Sequence, residues 1–224
     1  MPVTKRSRTA AAYAPYERSK KRTRVSSGAL SYPRPRSGLY SMAEKKTIDV
    51  DVNTFEITTT PTITLLNGIA TGSDFTDRVG RKVHLHSWSI RGFLSPVDSL
   101  VDTANIRIMV VLDLQTNGAA PAITDILKSS SPSSQLNLNN RDRFRVLMDK
   151  MVVSGPLTAA FVGTPITSAI KKYRKISQEM IFTGTLSTVA SISSGAIWLV
   201  TLGNNGVGAG RNWTWSSRVR FTDA

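Results

Sequence analysis

The 224-residue sequence has no cysteine and only two histidines, His84 and His86. Without thiols there is no disulfide, no Cys-ligated zinc, no iron–sulfur cluster and no cysteine nucleophile. Two histidines are too few for a zinc centre or for a cupin-type enzyme, so they read as a polar pair on one strand face. Acidic residues are scarce as well: 15 Asp and Glu stand against 29 Lys and Arg, for a formal charge of +14. No apolar run approaches the roughly 20 residues of a membrane-spanning helix, and none of signal-peptide length follows the first charges. A soluble chain without a membrane partner is expected. Catalytic motifs are missing too. No Ser-His-Asp set has nucleophile-elbow spacing. The glycine-rich run at residues 203–210 lacks the Lys-Ser/Thr of a phosphate-binding loop and precedes a strand pattern, so it reads as a strand connection. Asn212-Trp213-Thr214 matches a glycosylation acceptor, a chance match without a secretory signal. The expectation is a protein that is not an enzyme and requires no cofactor.

What is abundant is positive charge, and it is unevenly placed. Residues 1–46 carry 12 Lys and Arg and two acids, Glu17 and Glu44, for a net +10, whereas residues 47–224 carry 17 basic and 13 acidic residues, for a net +4. The first segment shows no helical or strand periodicity, and Pro15, Gly28, Pro33, Pro35 and Gly38 interrupt it. Self-repelling charge with little apolar surface cannot offset the entropy of ordering. Residues 1–43 are therefore expected to form a disordered basic arm. Its cations Lys5, Arg6, Arg8, Arg18, Lys20, Lys21, Arg22, Arg24, Arg34 and Arg36 are the candidate nucleic-acid-binding residues, since such an excess calls for a polyanionic partner. Within it Lys20, Lys21, Arg22 and Arg24 also form a candidate nuclear-import address, which implies an import receptor.

From residue 44 onward a single domain is expected, with period-two alternation. Residues 105–114 place Ile106, Ile108, Val110, Leu112 and Leu114 on one face. Residues 143–152 set Phe144, Val146 and Met148 against Arg143, Arg145 and Asp149. Residues 211–222 set Trp213, Trp215, Val219 and Phe221 against Asn212, Thr214, Arg218 and Arg220. The stretch 82–95 is rich in strand formers but alternates less cleanly. Further strands are expected at 47–66, broken at Pro61, and at 173–183, 185–191 and 196–202. About eight strands suit a sandwich or jelly roll. One short helix is expected, with Pro121 at its first position and Ile123, Ile126 and Leu127 as its apolar face. The four tryptophans sit in strand patterns and read as packing residues rather than base-stacking platforms. The polar segments 115–118, 129–140 and 164–168 are candidates for an outer surface.

Several segments in order carry a family resemblance. They are Leu66-Asn67-Gly68-Ile69-Ala70-Thr71-Gly72, Arg78-Val79-Gly80, the strand over 106–114, Gly118-Ala119-Ala120-Pro121, Arg143-Phe144-Arg145-Val146-Leu147-Met148-Asp149, Gly195-Ala196-Ile197-Trp198 and the ending Phe221-Thr222-Asp223-Ala224. Behind a basic arm, this set resembles the coat proteins of the satellite tobacco necrosis virus type. It is similar also to capsid proteins of small circular single-stranded DNA viruses, geminivirus-like ones included. The resemblance implies an eight-stranded antiparallel jelly roll that self-assembles into a sixty-subunit (T=1) icosahedral shell, with the arm holding a single-stranded viral genome inside. Sixty arms would supply on the order of 600 positive charges, which suits a genome of roughly one to a few thousand nucleotides. It also implies a Ca²⁺ site between subunits with Asp223 and Glu44 as ligands, completed by backbone carbonyls near Val79 and Lys82. A further carboxylate position implied by the family falls on Ser73, with Asp74 beside it.

The import-like cluster favours a DNA virus assembling in a host nucleus, while the body most resembles an RNA satellite. Single-stranded DNA is the expectation carried forward, with the virion and host nucleus as locations. The competing class is a cellular, ribosomal-like nucleic-acid-binding protein with a β-sandwich body. Ribosomal proteins usually carry charge throughout, whereas this body is only +4.

Overall fold

The computed structural model describes residues 44–96, 103–154 and 168–223. Nine strands among them build two antiparallel sheets. One sheet runs β1 (Lys46–Ile57), β9 (Arg211–Asp223), β3 (Lys82–Pro96), β6 (Ser168–Phe182) and β7 (Ile192–Ser194). The other runs β2 (Thr62–Leu65), β8 (Ala196–Gly203), β4 (Ala104–Asp113) and β5 (Phe144–Ser154). With the three-residue β7 set aside, these are the eight strands of a jelly-roll sandwich, and consecutive strands mostly alternate between sheets. No helix among the described residues is long and apolar enough to cross a membrane.

The alternation read in β9 is the alternation observed. Trp213, Trp215, Val219 and Phe221 are buried, and Ser216, Arg218 and Arg220 are exposed. All four tryptophans are core residues; Trp88 donates from Nε1 to Ser217 Oγ at 3.1 Å. Each fully buried large apolar side chain contributes about 1.5–3 kcal/mol. The blurred pattern in β3 has a local cause. The pairing with both β6 and β9 slips between Leu85 and Ser87: His86 is an extra residue against β9, whereas β6 sets two residues, Ile176 and Ser177, against it. Val83 and Leu85 face the core before the bulge, and Trp88 and Ile90 face it after, so inward positions change from odd to even. On β6, Ser177 adopts φ 54° at the same irregularity. Bulges re-aim side chains in this way.

β4 departs from simple alternation, because nine of its ten residues are buried. Both of its faces are covered. Arg107 is 7% exposed and makes a two-pronged bond to Asp149, at 2.9 and 2.7 Å. It also donates to the carbonyls of Pro132 and Ser134. Leu127 bridges Leu136, and the short helix α1 (Ile123–Ile126) buries Ile126. The polar segment 129–140 thus packs over the outer side of the four-stranded sheet.

Three expectations are corrected. Pro121 lies ahead of α1 rather than at its first position; the cap is Ala122, whose N–H donates to Asp125 Oδ2 at 2.9 Å. Residues 185–191 form no strand. They turn back through a 3-10 segment at Val189–Ser191, the Thr183 N–H donates to the Ser191 carbonyl, and Leu186 is 63% exposed. Backbone groups close this turn: the Ser191 N–H donates to the Thr188 carbonyl at 3.1 Å, and Thr188 makes no side-chain cap. β6 begins at Ser168 instead of Tyr173; its cationic middle shows no apolar alternation because that part lies on an open sheet face.

A candidate nucleic-acid interface

The ten arm residues proposed from sequence as phosphate ligands, Lys5 through Arg36, lie outside the described residues, as does the import-like cluster at 20–24. The described residues contribute a second basic surface that the sequence reading passed over. It is the outward face of β9, β3 and β6.

Pairing register fixes its layout. Ser87 lies opposite Arg220 and Lys175; Ser89 opposite Arg218 and Tyr173; Arg91 opposite Ser216 and Lys171; Phe93 opposite Thr214 and Ala169. Neighbouring strands are about 4.8 Å apart and successive outward positions about 6.7 Å apart along a strand. The result is a serine-floored trough between cationic walls. A concavity of about 490 Å³ is lined by Ser87, Ser89, Arg91, Lys171, Lys172, Tyr173, Arg218 and Arg220. It shares Arg91 and Lys171 with a more apolar groove of about 600 Å³ that includes Gly92, Phe93 and Trp215. Gly92 has no room for a side chain: a Cβ there would lie 2.6 Å from the Thr214 carbonyl oxygen and 2.6 Å from Trp213 Nε1.

The cations on this face are mostly uncompensated. Arg218 alone is paired, donating to Asp49 at 2.8 and 2.6 Å, and those hydrogen bonds hold its pKa above the ordinary guanidinium value. Arg91, Lys171, Lys175 and Arg220 have no ion-pair partner among the described residues. Asp49 and Asp51 lie on β1 at one rim, and Glu179 on β6, paired with Lys82, lies beyond the bulge. The sequence signals were present: the run Lys171-Lys172-Tyr173-Arg174-Lys175, and the Arg218-x-Arg220 spacing that puts both cations on one side of a strand. A body charge of only +4 concealed them, because the balancing acids sit elsewhere.

The expected metal ligands lie at another corner. β1 pairs Lys46 with Phe221, which sets the start of β1 beside the end of β9, and Glu44 lies two residues ahead of β1. Asp223 is already engaged within the chain. Its Oδ2 lies 3.1 Å from Lys46 Nζ, and its Oδ1 accepts from the Val79 N–H at 3.1 Å. Lys46 is 4% exposed and also donates to the Asp77 carbonyl at 2.9 Å. Next to it Arg78, 2% exposed, donates to the carbonyls of Ile69, Gly80 and Gly184, and lies 4.0 Å over the Phe182 ring. Burial lowers the Arg78 pKa and the Asp223 carboxylate opposes that shift. The described residues contain no group of three His, Cys, Asp or Glu suited to a metal. A divalent ion here would have to compete with the Lys46 ammonium and draw further oxygens from elsewhere.

The other motifs resolve structurally. His84 and His86 pack edge to face at 4.9 Å, and His86 Nε2 lies 3.0 Å from Thr222 Oγ1. The glycine-rich run joins β8 to β9. Glu56 Oε1 accepts from the N–H groups of Gly208 and Gly210 at 2.8 and 2.9 Å, so a carboxylate occupies the donors that a phosphate would need.

Comparison with known proteins points one way. A family model described as satellite tobacco necrosis virus coat protein matches residues 18–224. The chain is 31% identical over 179 residues to a coat protein of Satellite tobacco necrosis virus 2, covering 77% of this chain and 84% of that one. It is 26% identical over 155 residues to a coat protein of Maize white line mosaic Satellite virus, covering 68% of each. The infectious bursal disease virus VP2 subviral particle aligns with 80% of this chain and 33% of its own at 12% identity. Its TM-score of 0.28 is too low to bear on fold or function. These findings support the satellite-virus half of the sequence resemblance and lend none to the circular single-stranded DNA half.

Proposed function

Because the chain belongs to the satellite tobacco necrosis virus coat protein family, we propose that sixty copies assemble into a small icosahedral shell and package a single-stranded genome through the N-terminal arm. It is a viral coat protein, a structural component of the virion and not an enzyme. The ribosomal-like alternative gives way to that membership.

The observation that carries the packaging reading is the segregation of charge, +10 in residues 1–46 against +4 in the remainder. A nearly balanced body can pack against copies of itself, while a tethered arm can follow a flexible polyanion. Lys5, Arg6, Arg8, Arg18, Lys20, Lys21, Arg22, Arg24, Arg34 and Arg36 would bind phosphates and release condensed counterions, largely without regard to base sequence. Ten cations on a single strand correspond to a slope of about −7 in log affinity against log salt. Deleting residues 1–40 should therefore flatten the slope by about 7 and strongly weaken binding at moderate salt. Undiminished affinity in the deletion refutes the arm as the main contact.

The nature of the genome is a finer matter. Only the Lys20–Arg24 cluster supports DNA and passage through a host nucleus. Sensitivity of packaged nucleic acid to DNase or to RNase decides the first, and nuclear uptake of a reporter fused to residues 1–40, with and without those four cations, decides the second. The Ca²⁺ reading at Asp223 and Glu44 has Asp223's partial exposure and the nearby carbonyls in its favour, with Lys46 as an internal competitor. Loss of particle stability on chelation is its test.

A further inference from the structure

We propose that the folded body carries a second binding site for single-stranded nucleic acid, on the outward face of β3, β6 and β9, where Phe93 and Tyr173 stack unpaired bases and Arg91, Lys171 and Arg220 hold the phosphates. The inference rests on the packaging function but does not depend on the arm.

Two independent observations meet on this face. The first is electrostatic. Arg91 lies directly opposite Lys171 in the β3–β6 ladder, and neither has a carboxylate partner among the described residues. Like charges opposite one another destabilise a sheet. Here the arrangement sits beside a concavity of about 490 Å³ rather than against acidic neighbours. A bound polyanion offsets the repulsion.

The second is apolar and aromatic. Phe93 is 50% exposed and Tyr173 is 57% exposed on a sheet whose other aromatics are mostly buried. Both point outward, since Phe93 pairs with Ala169 and Thr214, and Tyr173 pairs with Ser89. Ser89 and Phe93 are four residues apart, so the two rings are separated by about 13 Å along the strand direction. Arg91 and Lys171 stand between them. A floor of Ser87, Ser89 and Ser216 leaves depth for a base to lie against either ring. Cationic grooves with aromatic platforms bind single strands because every unpaired base has a stacking face, whereas a duplex offers none.

The test uses the full-length chain and a fluorescein-labelled oligothymidylate, with a hairpin duplex as competitor, read by anisotropy over a salt series. Substituting Arg91→Gln, Lys171→Gln and Arg220→Gln together should flatten the salt slope by about 2. Substituting Phe93→Ala and Tyr173→Ala should leave the slope unchanged, weaken single-strand binding by at least about fivefold per platform and spare duplex binding. The exchange Phe93→Tyr with Tyr173→Phe should restore the parent affinity, which separates stacking from damage to the fold. Parent-like binding by both the charge and aromatic variants overturns the proposal and leaves the arm as sole contact. Normal oligonucleotide binding with failed assembly in the charge variant also overturns it, making this face a contact between copies. Failure of the unmodified chain to bind at all would instead refute packaging itself.

Discussion

Replacing Arg143 with Met removes the counter-ion of a carboxylate that has no access to water. Asp113 is 0% exposed at the end of β4. Its oxygens accept from Arg143 Nε and Nη2 at 2.9 Å each and from the Gln115 N–H at 3.0 Å. The hydrogen bonds to Asp113 are the main cause of the raised Arg143 pKa. Methionine keeps much of the apolar stem and deletes the charge. Breaking a buried pair from one side costs about 3–5 kcal/mol. Because the Arg143 side chain is 26% exposed, the lower end applies, and a loss of about 3 kcal/mol is expected at pH 7. The assay is the urea midpoint of dissociated subunits, followed by fluorescence of the four buried tryptophans. An unchanged midpoint refutes the account. Adding Asp113→Ala to the variant should recover much of the loss, because no unpaired charge then remains.

Lys46→Met leaves the Asp77 carbonyl without its side-chain donor and Asp223 without its ammonium, so about 1–3 kcal/mol of stability should be lost. The same variant should melt more differently with and without chelator than the parent does; the reverse order sinks the idea that Lys46 competes with calcium. His86 is held below the ordinary histidine pKa, first by burial and then by His84 and Lys45. The unfolded chain therefore takes up that proton first, and stability falls as pH drops below about 6.5. His86→Asn should flatten the decline in melting temperature between pH 7 and pH 5, and an unaltered decline would assign it to other groups.

Most of the strand framework was legible in the sequence because inward and outward positions of a half-buried strand alternate with period two. β9 shows this best, with Trp213 and Trp215 inside and Arg218 and Arg220 outside. Legibility failed where an interaction distant in sequence overrode the local pattern. The bulge at His86 shifted the inward set of β3 by one position. Burial on both faces of β4 depended on the segment 129–140 folding across it, with Arg107 anchoring the cover. The stretch 185–191 carried strand-forming residues, yet backbone hydrogen bonds from Ser191 to Thr188 and from Thr183 to Ser191 closed a turn.

The site divides along the same line. Charge is additive along a chain, so the sequence alone determined that most of the excess lies in residues 1–46, and from that came the expectation of a polyanionic partner. The nearly neutral total of the body was equally correct and concealed its asymmetry. Only the tertiary structure, by placing β9, β3 and β6 side by side in register, brought Arg91, Lys171 and Arg220 onto one face and left the acids at the rim and elsewhere. The same packing set Lys46 against Asp223 across 177 residues of sequence, because antiparallel pairing joins the beginning of one strand to the end of another. A sum of charges is a property of composition, whereas a field is a property of where the strands lie.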